Sequence, residues 1–174
     1  CRSLSAGVPV LCGFHHIYYP ENDNAAMQHE IQRYYRDPQV VPYDDLYAVD
    51  EPILKVALCD TNGPAKESYP VMHEALGDAY ELLISGDCWM DIMCKGVTKG
   101  AALQGLQERM GITPAETMAF GDYDNDISML QHAEFSYAME NASERVRQQA
   151  KHIAPANTKN GVVRVLCETL GIHM

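Results

Sequence analysis

Positive charge is scarce in this chain. Its 174 residues carry 13 Lys and Arg against 24 Asp and Glu, a formal net charge of −11. No basic run and no interleaving of basic with aromatic residues forms a patch, which argues against nucleic acid or an anionic membrane surface as a partner. No apolar stretch approaches the roughly 20 residues of a membrane-spanning helix, and no signal-peptide pattern opens the sequence; a cytoplasmic location is the default expectation. The six cysteines form no C-x-x-C pair, and most sit in apolar surroundings. They read as reduced core thiols rather than a disulfide frame or a zinc site. His15 and His16 do not make a metal pair either, because adjacent strand residues point to opposite faces. Internal repeats and low-complexity linkers are absent. What remains is a chain with 47% hydrophobic residues, able to bury a substantial core in one or two domains.

Hydrophobic periodicity places the elements. Val8 to Tyr19 reads as a strand or hairpin stopped by Pro20. A helix is expected over Asn24 to Tyr35, with Met27, Ile31 and Tyr34 or Tyr35 on one face and Asp37-Pro38 ending it. Pro42 to Asp50 reads as a loop or short turn segment, Ile53 to Cys59 as a buried strand, and Pro64 to Leu76 as a helix with Pro64 in its first turn. Ala79 to Ser85 and Trp89 to Met93 are two strands around Gly86-Asp87. Beyond them the pattern predicts a helix from Lys99 to Met110 and a strand over Thr117 to Phe120. A helix over Asn125 to His132 and a strand over Phe135 to Met139 follow. A Ser143-capped helix to Ala150, a short strand at His152-Ile153 and a helix from Gly161 to Leu170 complete the chain. Alternating strands and helices argue for an α/β fold with a parallel sheet covered on both faces. Tyr18, Tyr19, Tyr34, Tyr35, Tyr43 and Tyr47 crowd the first third; they fill a core or line a binding surface, core filling being the simpler use.

One stretch carries chemistry. In Thr117-Met-Ala-Phe-Gly121-Asp122-Tyr-Asp124-Asn125-Asp126-Ile-Ser-Met129-Leu130, a short apolar run breaks at glycine into carboxylates and an amide before a helical pattern resumes. The carboxyl end of a strand is where an α/β sheet places ligands, and hard oxygen donors suit Mg²⁺. Lys99 would add a point charge for a phosphate. Read from these residues alone, the loop is equally a solvated acidic turn in which Asn125 or Asp126 caps a helix. Asn141 and Asn160-Gly161 read as ordinary cap and turn residues.

The wider order of motifs, Gly96-Val-Thr-Lys99-Gly100, then Gly121-Asp122-Tyr-Asp-Asn125-Asp126, then Tyr137-Ala-Met-Glu-Asn141-Ala, resembles the C-terminal portion of the haloacid dehalogenase-like hydrolases, specifically the Cof-type phosphatases. The resemblance implies a Mg²⁺-dependent phosphatase of small phosphorylated metabolites that works through an aspartyl-phosphate. It implies that Lys99 holds the transferring phosphoryl group, that Asp122 ligates Mg²⁺, that Asn125 contacts phosphate or substrate, and that Asp126 is the second carboxylate, supporting the metal shell. It also implies a fold consisting of the C-terminal part of a Rossmann-like parallel-sheet core with an α/β cap domain. The cap is expected over residues 1–92 and the core portion over 93–174, and Asn141 and Asn160 fall in segments near the site mouth.

Members of that family open with D-x-D-G-T, whose aspartates are nucleophile and general acid/base. This sequence contains no D-x-D-G-T. Asp60-Thr-Asn62-Gly63 puts an amide where a proton carrier is needed, and Asp122-Tyr-Asp124 belongs to the later motif, so neither is assigned as nucleophile. The start at Cys1 fits a piece of a longer protein, and the 174-residue chain by itself is expected to be inactive. The other readings are a non-catalytic binding or regulatory module, an inactive remnant that keeps the fold, and a phosphomutase. A core without its first strands is expected to expose apolar surface and sheet edge and to self-associate.

Overall fold

A computed structural model describes residues 7–64 and 66–172, and the chain divides into two compact units that meet in sequence between Lys95 and Gly96.

In the first unit β1 (Val8–Gly13) and β2 (Ile17–Pro20) form an antiparallel hairpin. His15 and His16 lie in its turn, both exposed, rather than on a strand. The turn is fastened to Glu51, whose carboxylate accepts from the His15 backbone N–H at 2.6 Å and from the Tyr18 hydroxyl at 2.7 Å. Those bonds, the His15 N–H foremost, hold the Glu51 carboxyl down to about 2. A Cβ on Gly13 would sit 2.5 Å from the Glu51 carboxyl carbon, so a side chain there would push the carboxylate aside. Helix α1 (Ala25–Tyr34) begins where Asn24 Oδ1 accepts the N–H groups of Ala26 and Met27, both at 3.1 Å. Its Met27 and Ile31 pack with Val10, Ala57, Cys59 and Trp89.

Strand β3 (Gln39–Val41), inside the segment that the sequence pattern leaves without structure, pairs in parallel with β2 at the sheet edge. It is three residues long and bracketed by Pro38 and Pro42, which a pattern of alternating residues cannot register. Of the two expectations for the segment after it, the turn is what forms, a 3-10 turn over Tyr43–Ala48. Tyrosine fills the core only in part: Tyr19 is 2% exposed, whereas Tyr34 is 58% and Tyr47 79% exposed. Strands β4 (Ile53–Cys59), β5 (Tyr80–Ile84) and β6 (Trp89–Cys94) complete a six-stranded sheet of order β3-β2-β1-β4-β6-β5; all its pairings except β2-β3 are antiparallel, so the parallel sheet expected from the alternation does not extend to this unit. Helix α2 (Ser68–Leu76) covers Leu58, Leu82, Met90 and Ile92 through Met72.

That helix starts at Ser68, not at Pro64, and Asp60 fastens its first residue to the turn after β4. The Asp60 carboxylate accepts from the Asn62 N–H at 3.0 Å and from the Ser68 hydroxyl. Gly63, at a φ of 95°, donates to the Asp60 carbonyl at 3.0 Å. Cys12 and Cys59 are buried, and burial pushes the Cys59 thiol up to about 12. Cys94 is exposed rather than in the core, and the cysteines among the described residues are free thiols; Cys1 lies outside those residues.

The second unit is built around a parallel sheet of β7 (Met118–Gly121), β8 (Phe135–Met139) and β9 (His152–Ala154). Alternation along these strands supplies two apolar faces. Ala119 and Ala138 pack with Leu130 of α4 (Ile127–Gln131) and Val146 of α5 (Glu144–Arg147). Met139 and Ala154, with Met118, Phe120 and Tyr137, pack with Val165 of α6 (Gly161–Leu170). Leu130 and Val146 are essentially buried, each contributing about 1.5–3 kcal/mol of transfer free energy. Helices therefore lie on both faces of a parallel sheet, the α/β architecture that the alternation predicts. Helix α3 (Lys99–Met110) is tied in by buried Gln107, whose amide donates to Thr117 Oγ1 at 2.8 Å and to the His132 carbonyl at 2.9 Å. Asn160 takes a left-handed conformation at the turn before α6, and a Cβ on Gly161, the first residue of that helix, would lie 1.8 Å from the Pro155 carbonyl oxygen, so both serve the backbone there. Among the described residues no helix is long and apolar enough to cross a membrane.

Candidate functional site

The acidic loop leaves the carboxyl end of β7 and folds back on itself. Asp126 is the pin: its Oδ2 accepts the backbone N–H groups of Asp122 at 2.9 Å and Tyr123 at 3.2 Å. The fold-back passes so close to the strand that a Cβ on Gly121 would lie 2.5 Å from the Asp126 Cβ. The other Asp126 oxygen pairs with the Lys99 ammonium. The Asp126 side chain is 7% exposed and that of Lys99 50%, so the pair runs from the interior to the surface.

Lys99 reaches this point because it opens α3, behind a Thr98 cap whose hydroxyl accepts from Ala101 N–H at 3.1 Å. The next residue, Gly100, lets α3 and α4 touch backbone to backbone. A Cβ there would lie 2.6 Å from the Ser128 carbonyl oxygen, and the Gly100 N–H donates to Ser128 Oγ at 3.1 Å.

Three carboxylates follow β7, and two have cationic partners: Asp126 pairs with Lys99, and Asp124 with Arg145 at 2.9 Å. Asp122 has none among the described residues. Its Oδ2 accepts only the neutral Asn141 amide, at 3.2 Å. Asn125 Oδ1 is buried with no hydrogen-bond partner. The loop thus presents one uncompensated carboxylate and one orphaned amide oxygen, both hard donors of the kind Mg²⁺ takes. The residues fit such a cation as part of its shell. No group of three or more His, Cys, Asp or Glu able to hold a metal is gathered among the described residues, so Asp122 would be one ligand among waters and groups from elsewhere.

Lys99, Asp122, Asn125 and Asp126, expected as a set, therefore stand together at the carboxyl end of β7, and each oxygen of Asp126 is already engaged. Asn141 is not a helix cap; it bridges the loops after β7 and β9, since its Oδ1 accepts the Asn157 backbone N–H at 3.1 Å. Arg145 was not anticipated from sequence. Both lie just beyond β8, at the end of the sheet where ligands gather, which is the signal that could have drawn attention to them. Beside Asn141, Glu140 accepts from Lys159 Nζ at 2.9 Å and Ala156 N–H at 3.3 Å, and these bonds, Lys159 first, hold its carboxyl below the usual range.

Residues 8–166 match the family model of the haloacid dehalogenase-like hydrolases. The chain belongs to this family. The Cof-type relationship read from the motif order stands with it. A phosphatase of Escherichia coli, the 5-amino-6-(5-phospho-D-ribitylamino)uracil phosphatase YbjI, is 32% identical over 161 residues, 92% of this chain and 59% of the relative. The phosphoglycolate phosphatase of Archaeoglobus fulgidus is 40% identical over 90 residues, 52% of this chain and 40% of that protein. Among solved structures, SMU.1108c of Streptococcus mutans superposes with a TM-score of 0.87 at 30% identity, over 98% of this chain and 64% of that one. The chain thus spans about three fifths of the length of the E. coli and S. mutans relatives.

Proposed function

We propose that this chain supplies the cap domain and the lysine-and-metal half of a Mg²⁺-dependent phosphatase of small phosphorylated metabolites. The observation that carries the reading is Asp122, left without a cationic partner beside two neighbours that have one. Mg²⁺, when bound, supplies positive charge against the phosphoryl oxygens. Lys99, half exposed at the start of α3, adds a second positive charge for the transferring group. Asn125 orients the substrate or phosphate. Asp126 serves the metal shell indirectly, by fixing the Asp122 and Tyr123 backbone and steering Lys99. The six-stranded first unit is the cap that selects substrate, and the second unit is the core portion. The covalent step belongs to a D-x-D-G-T carboxylate that these residues do not include.

The relatives' names carry leaving groups as different as a ribitylaminouracil and glycolate, so the proposal stops at the class of small phosphate monoesters. A non-catalytic module is the second reading, favoured by one observation: the remaining strand-terminal candidate, Asp60, is fully buried and spent on Asn62 and Ser68. Exposed Phe135, Leu166, Leu170 and Ile172 on the second unit favour self-association of the isolated chain, which sedimentation would detect.

The deciding experiment is Mg²⁺-dependent hydrolysis of an aryl phosphate by the parent protein carrying D-x-D-G-T, against its Asp122→Ala variant. The variant is expected to lose about 100-fold or more; normal Mg²⁺-dependent turnover in it would end the metal assignment.

A further inference from the structure

Three loops leave the carboxyl ends of three parallel strands, and one side chain joins them. Asn141 stands in the middle. The Asn157 backbone N–H, beyond β9, donates to its Oδ1 at 3.1 Å, and its own Nδ2 donates to Asp122 Oδ2, beyond β7, at 3.2 Å. A backbone donor on one side and a carboxylate on the other fix which way the amide points, because the reversed amide would set N–H against N–H and oxygen against oxygen. The result is a polarised chain, N–H to amide to carboxylate, that ends on the one carboxylate of the loop without a cation. Asp122 Oδ2 is thereby taken up, and Oδ1 makes no hydrogen bond among the described residues.

We propose that Asn141 is a positioning residue for Asp122: it holds one carboxylate oxygen sideways along the sheet end so that the other is presented to a divalent cation. The inference rests on the reading of Asp122 as a cation ligand. A side chain that orients a ligating carboxylate typically governs metal affinity by about 10- to 100-fold. The amide is neutral, so it fixes the geometry without competing with the cation for charge. Asn141 is exposed, and replacing it empties no core.

The test is Mn²⁺ binding to the parent protein carrying D-x-D-G-T, followed by the electron paramagnetic resonance signal of free Mn²⁺ at millimolar concentrations. Wild type is compared with Asp122→Asn, Asn141→Ala, Asn141→Leu and Lys159→Ala. Leu keeps the bulk of Asn without either polar end, and Lys159→Ala loosens the 156–160 loop through Glu140 without touching Asp122. The expected result is Mn²⁺ binding that Asp122→Asn removes, that both Asn141 variants weaken about tenfold, and that Lys159→Ala leaves unchanged. Asp122-dependent binding unaltered in the Asn141 variants would overturn this inference alone. Equal weakening in Lys159→Ala would also overturn it, by showing that loop order is what matters. Wild type indistinguishable from Asp122→Asn would overturn the metal reading and this inference with it.

Discussion

Asp60 and Asp122 both follow a strand directly, one in each unit, and they have opposite fates. Asp60 is 0% exposed, with one carboxylate oxygen on the Asn62 N–H and the other on the Ser68 hydroxyl. Asp122 is half-buried, has one oxygen on a neutral amide, and makes no ion pair among the described residues. The difference lies in what else the loop contains. In the first unit Asp60 must organise the turn into α2 itself. In the second, the same work falls to Asp126, which gathers two backbone N–H groups and a lysine. A loop with a second acidic residue to hold it can leave its first one free. A strand-terminal aspartate is therefore a ligand candidate only when another group does the local hydrogen bonding.

This contrast can be broken by mutation, with stability and cation binding expected to move in opposite order. Asp60→Ala leaves a buried hydroxyl and an N–H without an acceptor and should cost about 2–4 kcal/mol in urea unfolding, with Mn²⁺ binding untouched. Weak destabilisation there would mean that the turn does not depend on its carboxylate. Asp126→Ala strips the acceptor from two loop N–H groups and should cost about 1–3 kcal/mol while also weakening Mn²⁺ binding. Loss of one effect without the other would separate loop order from the site.

The Glu51 staple in the first unit adds a pH-dependent term. Its carboxyl is lowered when folded, so its contribution is complete above the ordinary carboxylate range and is lost as pH falls through about 2. Urea midpoints measured from pH 5 downward should fall more steeply in wild type than in Glu51→Gln; parallel curves would show the staple to be idle. The smallest stability change is expected for Asp122→Ala, within about 0.5 kcal/mol, although this variant should lose the most function. A large loss of stability there would make Asp122 a second Asp60.

The elements with strong periodicity were legible in the sequence. Strand β4 and helix α6 fall where the apolar spacing puts them, and the Gly121-Asp122 break marks the candidate site. What was not legible depends on distant partners. Strand β3 pairs because β2 offers it an edge; Val40 and Val41, the latter before Pro42, favour extension, but three residues are too few for an alternating pattern to show. The late start of α2 goes with the bond from the Ser68 hydroxyl to Asp60. Asn141 looks like any turn asparagine until the loops on either side of it are placed. The division of labour between Asp122 and Asp126 is likewise invisible in Asp-Tyr-Asp-Asn-Asp, because it rests on which carboxylate the Gly121 fold-back buries.

The role of Asp122 as a cation ligand is tested most directly by mapping Mn²⁺-induced broadening of backbone amide resonances along the chain. Broadening is expected to centre on Asp122 to Asn125 and to disappear in Asp122→Asn while the Asp60 turn stays sharp. Broadening centred on any other acidic segment, or unchanged in that variant, would contradict that role.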